Sequence, residues 1–532
     1  MKQTKKLASL LLALVMVLSL VVNAFANTNP HTITITNEKS GHTYTAYQVF
    51  AGDIEDKPGT TTNEKVLTNI VWGSGVNGTA VLNALKALDN SPYANCKTAE
   101  DVADVLKGFT DDSDQLDAFA KVVGAHLATA AGTSTETAST YIINVTGDGY
   151  YFVKDTGTLG NDDAATKYIL KVVENVKVAA KAEVPTIDKV IVNADSGSGN
   201  DGKGTAVDVG SVVEFKLTSK VPAMDGYDSY TFIVNDTLSA GLTAVDGNDE
   251  GTDIDVAVTI NGIEYTGFTV AQTGQSFTIT FNSFIDQKAN AGKDIVITYS
   301  AVLNEKALTT DKETNTVNLE YSNNPNDNNS KGKTPDKIVY VYDFDIVIDK
   351  YTDDKTKAEE ETGAKDTRLS GAKFVLYKTA DSKKLYYHYN ETIGKVEWVE
   401  LADDAAVADA IKAGTITEVT TDGNGVAKFQ GLDSGTYYLH ETEAPVGYNL
   451  LKGDVTVAIT ATYGEDGQVT SSTATSTSNG QYQQTQPVEN KSGVELPETG
   501  GIGTTIFYIV GGVLFVGAAV LLIVKRRMSM KG

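Results

Sequence analysis

A single cysteine, Cys96, in 532 residues rules out a disulfide within one chain, so a sulfur bridge cannot be what reinforces this protein. The five histidines (His31, His42, His126, His388 and His440) are scattered without metal-ligand spacing, and no glycine loop of the phosphate-cradling kind is present. Asp246-Gly247-Asn248-Asp249-Glu250-Gly251 opens like a calcium loop, but its twelfth position is Ala257, where a bidentate glutamate is required. No metal and no cofactor is therefore expected. Cys96 lies in a polar, loop-like stretch without a recognisable catalytic partner, and no other nucleophile–base constellation appears, so an enzyme acting on an external substrate is not expected. Basic residues are in the minority: 44 Lys and Arg against 69 Asp and Glu leave a net charge of −25. That balance argues against nucleic acid as a partner and favours a soluble, self-repelling surface. Tryptophan is scarce at 2 while tyrosine reaches 25, and Thr, Val and Asn crowd the chain, a β-rich and exported composition.

The two ends carry export signals. Lys2, Lys5 and Lys6 precede an apolar run from Leu7 to Val22 and a small-x-small site at Ala24-Phe25-Ala26, so residues 1–26 read as a secretory signal peptide and the mature chain is expected to start at Asn27. At the other end Leu496-Pro497-Glu498-Thr499-Gly500 is followed by an uncharged stretch from Gly501 to Val524 and then by Lys525-Arg526-Arg527. As a helix that stretch reaches ~36 Å, enough for the ~30 Å core of a bilayer, and the basic cluster holds the tail inside. Pentapeptide, span and basic stop in that order resemble the sorting signal read by sortases. The resemblance implies cleavage between Thr499 and Gly500, transfer of the Thr499 acyl group to an amine, and covalent fixation to peptidoglycan after transient retention in the membrane.

Between the ends lie ~470 residues, two to four domains of ordinary size. Residues 27–183 are expected to form a mixed unit. Strands are read at Thr32–Thr36, Thr43–Phe50, Thr140–Val145, Tyr150–Lys154 and Tyr168–Val173, and helices at Ala80–Leu88, Ala99–Phe109 and Leu116–Ala131. Residues 184–343 alternate with period two at Ser211–Lys220, Tyr230–Asn235, Ile254–Asn261, Ser276–Phe281, Asp294–Leu303 and Thr316–Tyr321, with a polar loop over Asn323–Lys333. Residues 344–492 repeat the pattern, with Thr475–Gln486 read as a loop or loose edge, and 493–532 hold the sorting signal. The fold class is mainly β: tandem immunoglobulin-like sandwiches, the first with helical insertions, plus a C-terminal transmembrane helix.

A recurring trio of lysine, acid and asparagine remains. Pro185-Thr186-Ile187-Asp188-Lys189, Asn235-Asp236-Thr237-Leu238 and Thr314-Asn315-Thr316-Val317 resemble the fimbrial domain that forms an isopeptide bond. Ile346-Val347-Ile348-Asp349-Lys350, the run from Gly435 to Tyr448 with its Glu441-x-x-Ala444-Pro445-x-Gly447-Tyr448 element, and Val488-Glu489-Asn490-Lys491 resemble the collagen-adhesin B-type, SpaA-like domain. The chain as a whole resembles the major, or backbone, pilins of sortase-assembled Gram-positive pili. That resemblance implies crosslinks from Lys189 to Asn315 and from Lys350 to Asn490, with Asp236 and Glu441 as the acids. The chemistry needs those residue types: burial neutralises the amine, keeps the acid protonated to polarise the carboxamide, and lets it move protons as ammonia leaves. First and last strands are expected to lie side by side, holding the pair in attack geometry.

Val176-Lys177-Val178-Ala179-Ala180-Lys181 falls where pilin shafts carry V-x-V-Y-P-K, whose lysine joins subunits, here with Ala179-Ala180 in place of Tyr-Pro. Position favours Lys181, with Lys177 as competitor, and a class C-type sortase would join it to Thr499 of the next copy. Implied partners are the sortase, further copies, minor pilins and peptidoglycan, with a host or extracellular-matrix surface as a further candidate. A monomeric wall-anchored adhesin or a minor tip or base pilin is the alternative.

Overall fold

The computed structural model describes residues 30–57, 65–110, 113–172, 174–180, 184–194, 201–245, 254–353, 367–477, 480–492 and 502–528. The signal peptide, the Asp246–Gly251 loop, Lys181 and the pentapeptide Leu496–Gly500 lie outside them.

Strands Pro30–Thr36, Thr135–Thr137, Thr140–Thr146 and Val176–Ala179 form one sheet of the N-terminal region. Tyr44–Asp56, Lys65–Trp72, Gly149–Asp155, Lys167–Val172 and the short Gly132–Thr133 form a second. Ile33, Ile35, Tyr141 and Ile143 of the first sheet pack on Tyr44, Ala46, Tyr151 and Val153 of the second. The opposite face of the second sheet, with Phe50, Leu67, Tyr150 and Phe152, is covered by helices α1 (Gly78–Lys86), α2 (Ala99–Leu106) and α3 (Asp114–Ala125). Covering both faces is why Gly149–Asp155 is buried almost throughout instead of alternating. Each helix starts on a side chain that accepts from its first turn: Asn77, Thr98 in a capping box with Asp101, and Ser113. The third helix stops at Ala125, short of the expected Ala131, because Leu127 bridges to Val76 and the Ala131 N–H donates to the Ala46 carbonyl. Cys96, read as part of a polar loop, is instead buried in the helical layer beside Tyr93, and burial pushes its thiol pKa up.

The next two regions are sandwiches. In the first, one sheet centres on Val212–Lys220 and Asp294–Leu303, and the other on Glu313–Ser322 and Phe232–Leu238. Period two is literal here: Val213, Phe215 and Leu217 point into the core while Glu214, Thr218 and Lys220 face solvent. Asn315 does not open the last strand of this sandwich. Lys337–Tyr342, not among the strands expected for this region, follows it in the same sheet. Lys189, on Ile187–Ile191, belongs to the opposite sheet, so the two strands face each other across the sandwich instead of lying side by side.

In the C-terminal sandwich the adjacency holds. Phe344–Thr352 runs parallel to Tyr482–Glu489, with Lys350 opposite Val488. Part of the segment read as a loose edge is therefore a paired strand. Its Gln and Thr side chains hide the period, and backbone pairing over eight residues supplies the order instead. The cores of the two sandwiches are continuous, and the Val209 N–H donates to the Gly431 carbonyl at 2.9 Å across the junction. Helix α5 (Ile502–Met528), after a short α4 (Val407–Ala413), contains a 19-residue stretch, Tyr508–Arg526, apolar and long enough to cross a membrane; Tyr508–Val524 is exposed on every side.

The N-terminal region holds a buried ion cluster that sequence spacing did not reveal. His42 Nδ1 lies 2.6 Å from Asp155 and Nε2 lies 3.0 Å from Asp163, and all three side chains are buried. Burial alone would lower the His42 pKa, but the hydrogen bond to Asp155 and the fields of Asp155, Asp163 and Glu136 outweigh it, so the net shift is upward. A raised folded-state pKa gives stability that is complete below the ordinary histidine value of about 6.5 and is lost as pH rises through the shifted value. The N-terminal unfolding transition should therefore move to lower temperature between pH 6 and alkaline pH. His42→Ala, which leaves two buried carboxylates unpaired, should cost about 3–5 kcal/mol at pH 6 and flatten that dependence. Differential scanning calorimetry across pH checks both outcomes.

Candidate functional site

Lys189, Asp236 and Asn315 come together from three strands at the centre of the middle sandwich, each at most 1% exposed. Lys189 Nζ donates to Asp236 Oδ2 at 2.8 Å and to Asn315 Oδ1. The rings of Phe215 and Tyr299 lie with centroids 5.5 Å from the amine. Burial among these groups lowers the Lys189 pKa to about 8 in spite of Asp236, and burial likewise raises that of Asp236. Both shifts favour the same state, a neutral amine beside a protonated acid, the pair that attack on a carboxamide requires.

Lys350, Glu441 and Asn490 meet in the C-terminal sandwich and are also buried, each at most 3% exposed. Lys350 Nζ donates to Asn490 Oδ1, lies 3.4 Å from Glu441 Oε1 and sits 5.6 Å from the centroid of Phe374. Burial lowers its pKa too. Glu441 Oε2 accepts from Asn490 Nδ2 at 3.2 Å and from the Leu451 N–H at 2.8 Å. The Lys350 backbone is seated by the turn Asp422–Gly425, where the Lys350 N–H donates to the Gly425 carbonyl. Gly425 has φ of +76°, and a Cβ there would collide with the Lys350 carbonyl, so glycine is required.

Sequence reasoning missed two supporting groups in the middle sandwich. Tyr299 is the one aromatic residue in the inward row Ile295, Ile297, Tyr299, Ala301, Leu303, and a buried phenol needs a partner, which was the available signal. Glu313, two residues before Asn315 on the same strand, accepts from Ser239 Oγ, from the Gly241 N–H at 2.8 Å and from Thr310 Oγ1 at 2.6 Å, tying down the loop that follows Asp236. Of the two candidate linking lysines, Lys177 is described: it is exposed on the edge strand Val176–Ala179, opposite Thr34. No group of three or more His, Cys, Asp or Glu side chains is arranged to hold a metal ion among the described residues.

Residues 355–474 match the family of SpaA domains, with a prealbumin-like fold, and residues 488–529 match the LPXTG cell wall anchor motif. The first match contains Glu441, whereas Lys350 and Asn490 flank it. Anchor motif and apolar C-terminal helix together make this a cell-wall-anchored surface protein built of β-sandwich domains. The chain is similar to the trypsin-resistant surface T6 protein of Streptococcus pyogenes serotype M6, with 25% identity over 420 residues, covering 65% of this chain and 70% of that protein. It shares its fold with the T6 backbone pilin of the same serotype at a TM-score of 0.50 and 19% identity, over 82% of this chain and 81% of that one. The major pilin SpaD of Corynebacterium diphtheriae superimposes with a TM-score of 0.44 and 15% identity, over 87% and 98% of the two chains.

Proposed function

We propose that this protein is the shaft subunit of a covalently polymerised, wall-anchored pilus. The observation that carries the reading is the wall-anchor motif on a chain similar to the T6 surface protein over two thirds of that protein's length. In this reading the mature chain is divided at 183/184 and 343/344 into an N-terminal unit and two isopeptide-forming units. A class C-type sortase joins Thr499 of one copy to Lys181 of the next, and the last copy is passed to peptidoglycan. Head-to-tail joining of this kind gives an open fibre and not a closed ring. The chain performs no chemistry on an external substrate; it closes its own crosslinks and is itself the sortase's substrate.

Within each sandwich the lysine amine attacks the asparagine Cγ, the new Nζ–Cγ bond replaces the Cγ–Nδ2 bond, and ammonia leaves. One proton passes from Nζ to the departing nitrogen through the acid. The enclosure of each trio supports this reading, since attack needs a neutral amine. Lys189–Asn315 and Lys350–Asn490 span 126 and 140 residues, so each bond would restrict the unfolded chain as a long-loop disulfide does, by about 5 kcal/mol in the chain-entropy limit.

The intact mass of the purified ectodomain should fall short of the sequence mass by two ammonia equivalents. Glu441→Ala should restore one and lower the unfolding temperature of the C-terminal sandwich; a mass equal to that of the unmodified chain excludes the crosslinks.

Polymerisation is tested separately, by immunoblotting cell-wall fractions boiled in detergent. A high-mass ladder is expected, and Lys181→Ala should abolish it while leaving wall-anchored monomer. Loss of the ladder only in Lys177→Ala transfers the role to Lys177. A single band in the wild type supports the monomeric adhesin.

A further inference from the structure

The two acids do not reach their asparagines in the same way. Glu441 touches the Asn490 amide nitrogen directly. Asp236 is one methylene shorter, and its side-chain hydrogen bonds run to Lys189 and Tyr299, not to Asn315. The space between is filled by the Tyr299 hydroxyl, which donates to Asp236 Oδ2 at 2.7 Å and accepts from Asn315 Nδ2 at 2.8 Å. Its position is fixed: the ring stacks on Phe215 at 5.3 Å and meets Phe277 edge-on at 5.0 Å, and the residue is 4% exposed. In the C-terminal sandwich the place of a hydroxyl beside the amide nitrogen is taken by the Asn449 backbone carbonyl, which accepts from Asn490 Nδ2 at 2.9 Å and has no proton to give.

We propose that Tyr299 is a catalytic residue of the middle sandwich, relaying the proton from Asp236 to the departing amide nitrogen of Asn315, so that an Asp–Tyr pair does there what Glu441 does alone. The inference rests on the isopeptide reading above.

As the neutral Lys189 amine bonds to Cγ, Asn315 Nδ2 loses its conjugation with the carbonyl and turns from donor to acceptor. The hydroxyl then rotates, gives its proton to Nδ2 and takes the Asp236 proton in return. Cγ–Nδ2 breaks, ammonia departs, and the second proton of the attacking nitrogen passes to Asp236 Oδ2, 2.8 Å away. One proton has moved from Nζ to Nδ2, and Asp236 and Tyr299 end as they began. Burial raises the Tyr299 pKa well above that of a free phenol, so the hydroxyl exchanges protons without dwelling as phenolate. A hydroxyl that is donor and acceptor at once is the one side-chain group at this position able to reverse its polarity in this way.

The test uses the whole ectodomain and intact mass with peptide mapping, at fixed times after synthesis. The wild type should lack two ammonia equivalents and Lys189→Ala one. If the wild type lacks none, the isopeptide reading itself fails, whatever Tyr299 does. Tyr299→Phe keeps the ring and removes only the relay. It should slow the Lys189–Asn315 bond by about 100-fold, the ordinary scale of general acid–base catalysis, leaving a one-ammonia species at times when the wild type is complete. The double variant Asp236→Glu with Tyr299→Phe should recover the second loss, because the longer acid reaches the amide nitrogen itself, and recovery also shows that Phe at 299 is compatible with folding. Wild-type kinetics in Tyr299→Phe, or a double variant that stays at one ammonia, overturns the proposal.

Discussion

Two lysine amines, those of Lys189 and Lys350, sit where water does not reach, and much of the architecture follows from that constraint. An ammonium in such a place is tolerated only if paired, and a pair is tolerated only if its remaining donors and acceptors are satisfied. Each sandwich answers with the same parts, an acid, an asparagine and aromatic rings, but in different geometry. Neutralising the amine removes the cost of the charge and creates a nucleophile in the same step. Enclosure and the shift toward a neutral amine thus have one cause at these sites.

The strands that carry the trios differ in their mechanical relation. In the C-terminal sandwich Lys350 lies on one of two parallel neighbours already joined by backbone hydrogen bonds, and Asn490 directly follows the end of the other. In the middle sandwich Lys189 and Asn315 belong to opposite sheets, so a bond between them would staple the layers together. The junction between the two sandwiches is itself closely made. Asp208 accepts from Lys378 Nζ at 3.1 Å, from Trp398 Nε1 at 2.7 Å and from the Asp433 N–H at 2.9 Å, and the Val396 N–H donates to the Val209 carbonyl at 2.8 Å. The two sandwiches therefore meet through backbone hydrogen bonds and a shared core instead of a bare linker.

The N-terminal region is held by other means. Its opening strand carries no lysine, and its outer sheet face is closed by three capped helices. His42 between Asp155 and Asp163 fastens the segment around residue 163 to the sandwich, and that segment reaches the middle sandwich, where the Ala165 N–H donates to the Asn323 carbonyl at 2.7 Å. Ion pairing under burial fastens this region and makes its stability sensitive to pH.

Local pattern in the sequence determined the elements whose cause is local. Strict alternation placed Ser276–Phe281 and Asp294–Leu303 to the residue, because one buried and one wet face impose period two. Three- and four-residue apolar spacing located the helices, with their starts within two residues, and resemblance to the isopeptide-forming and SpaA-like motifs singled out the trios of Lys189, Asp236 and Asn315 and of Lys350, Glu441 and Asn490. Tertiary structure decided what depends on distance along the chain. It ordered the Gln-rich strand Tyr482–Glu489, whose side chains carry no apolar period, by pairing it with a strand about 140 residues earlier. It put Lys189 and Asn315 on opposite sheets, a matter of how a sandwich closes and not of strand order. It also seated Tyr299 between Asp236 and Asn315, a contact among residues 63 and 16 positions apart that no local window contains.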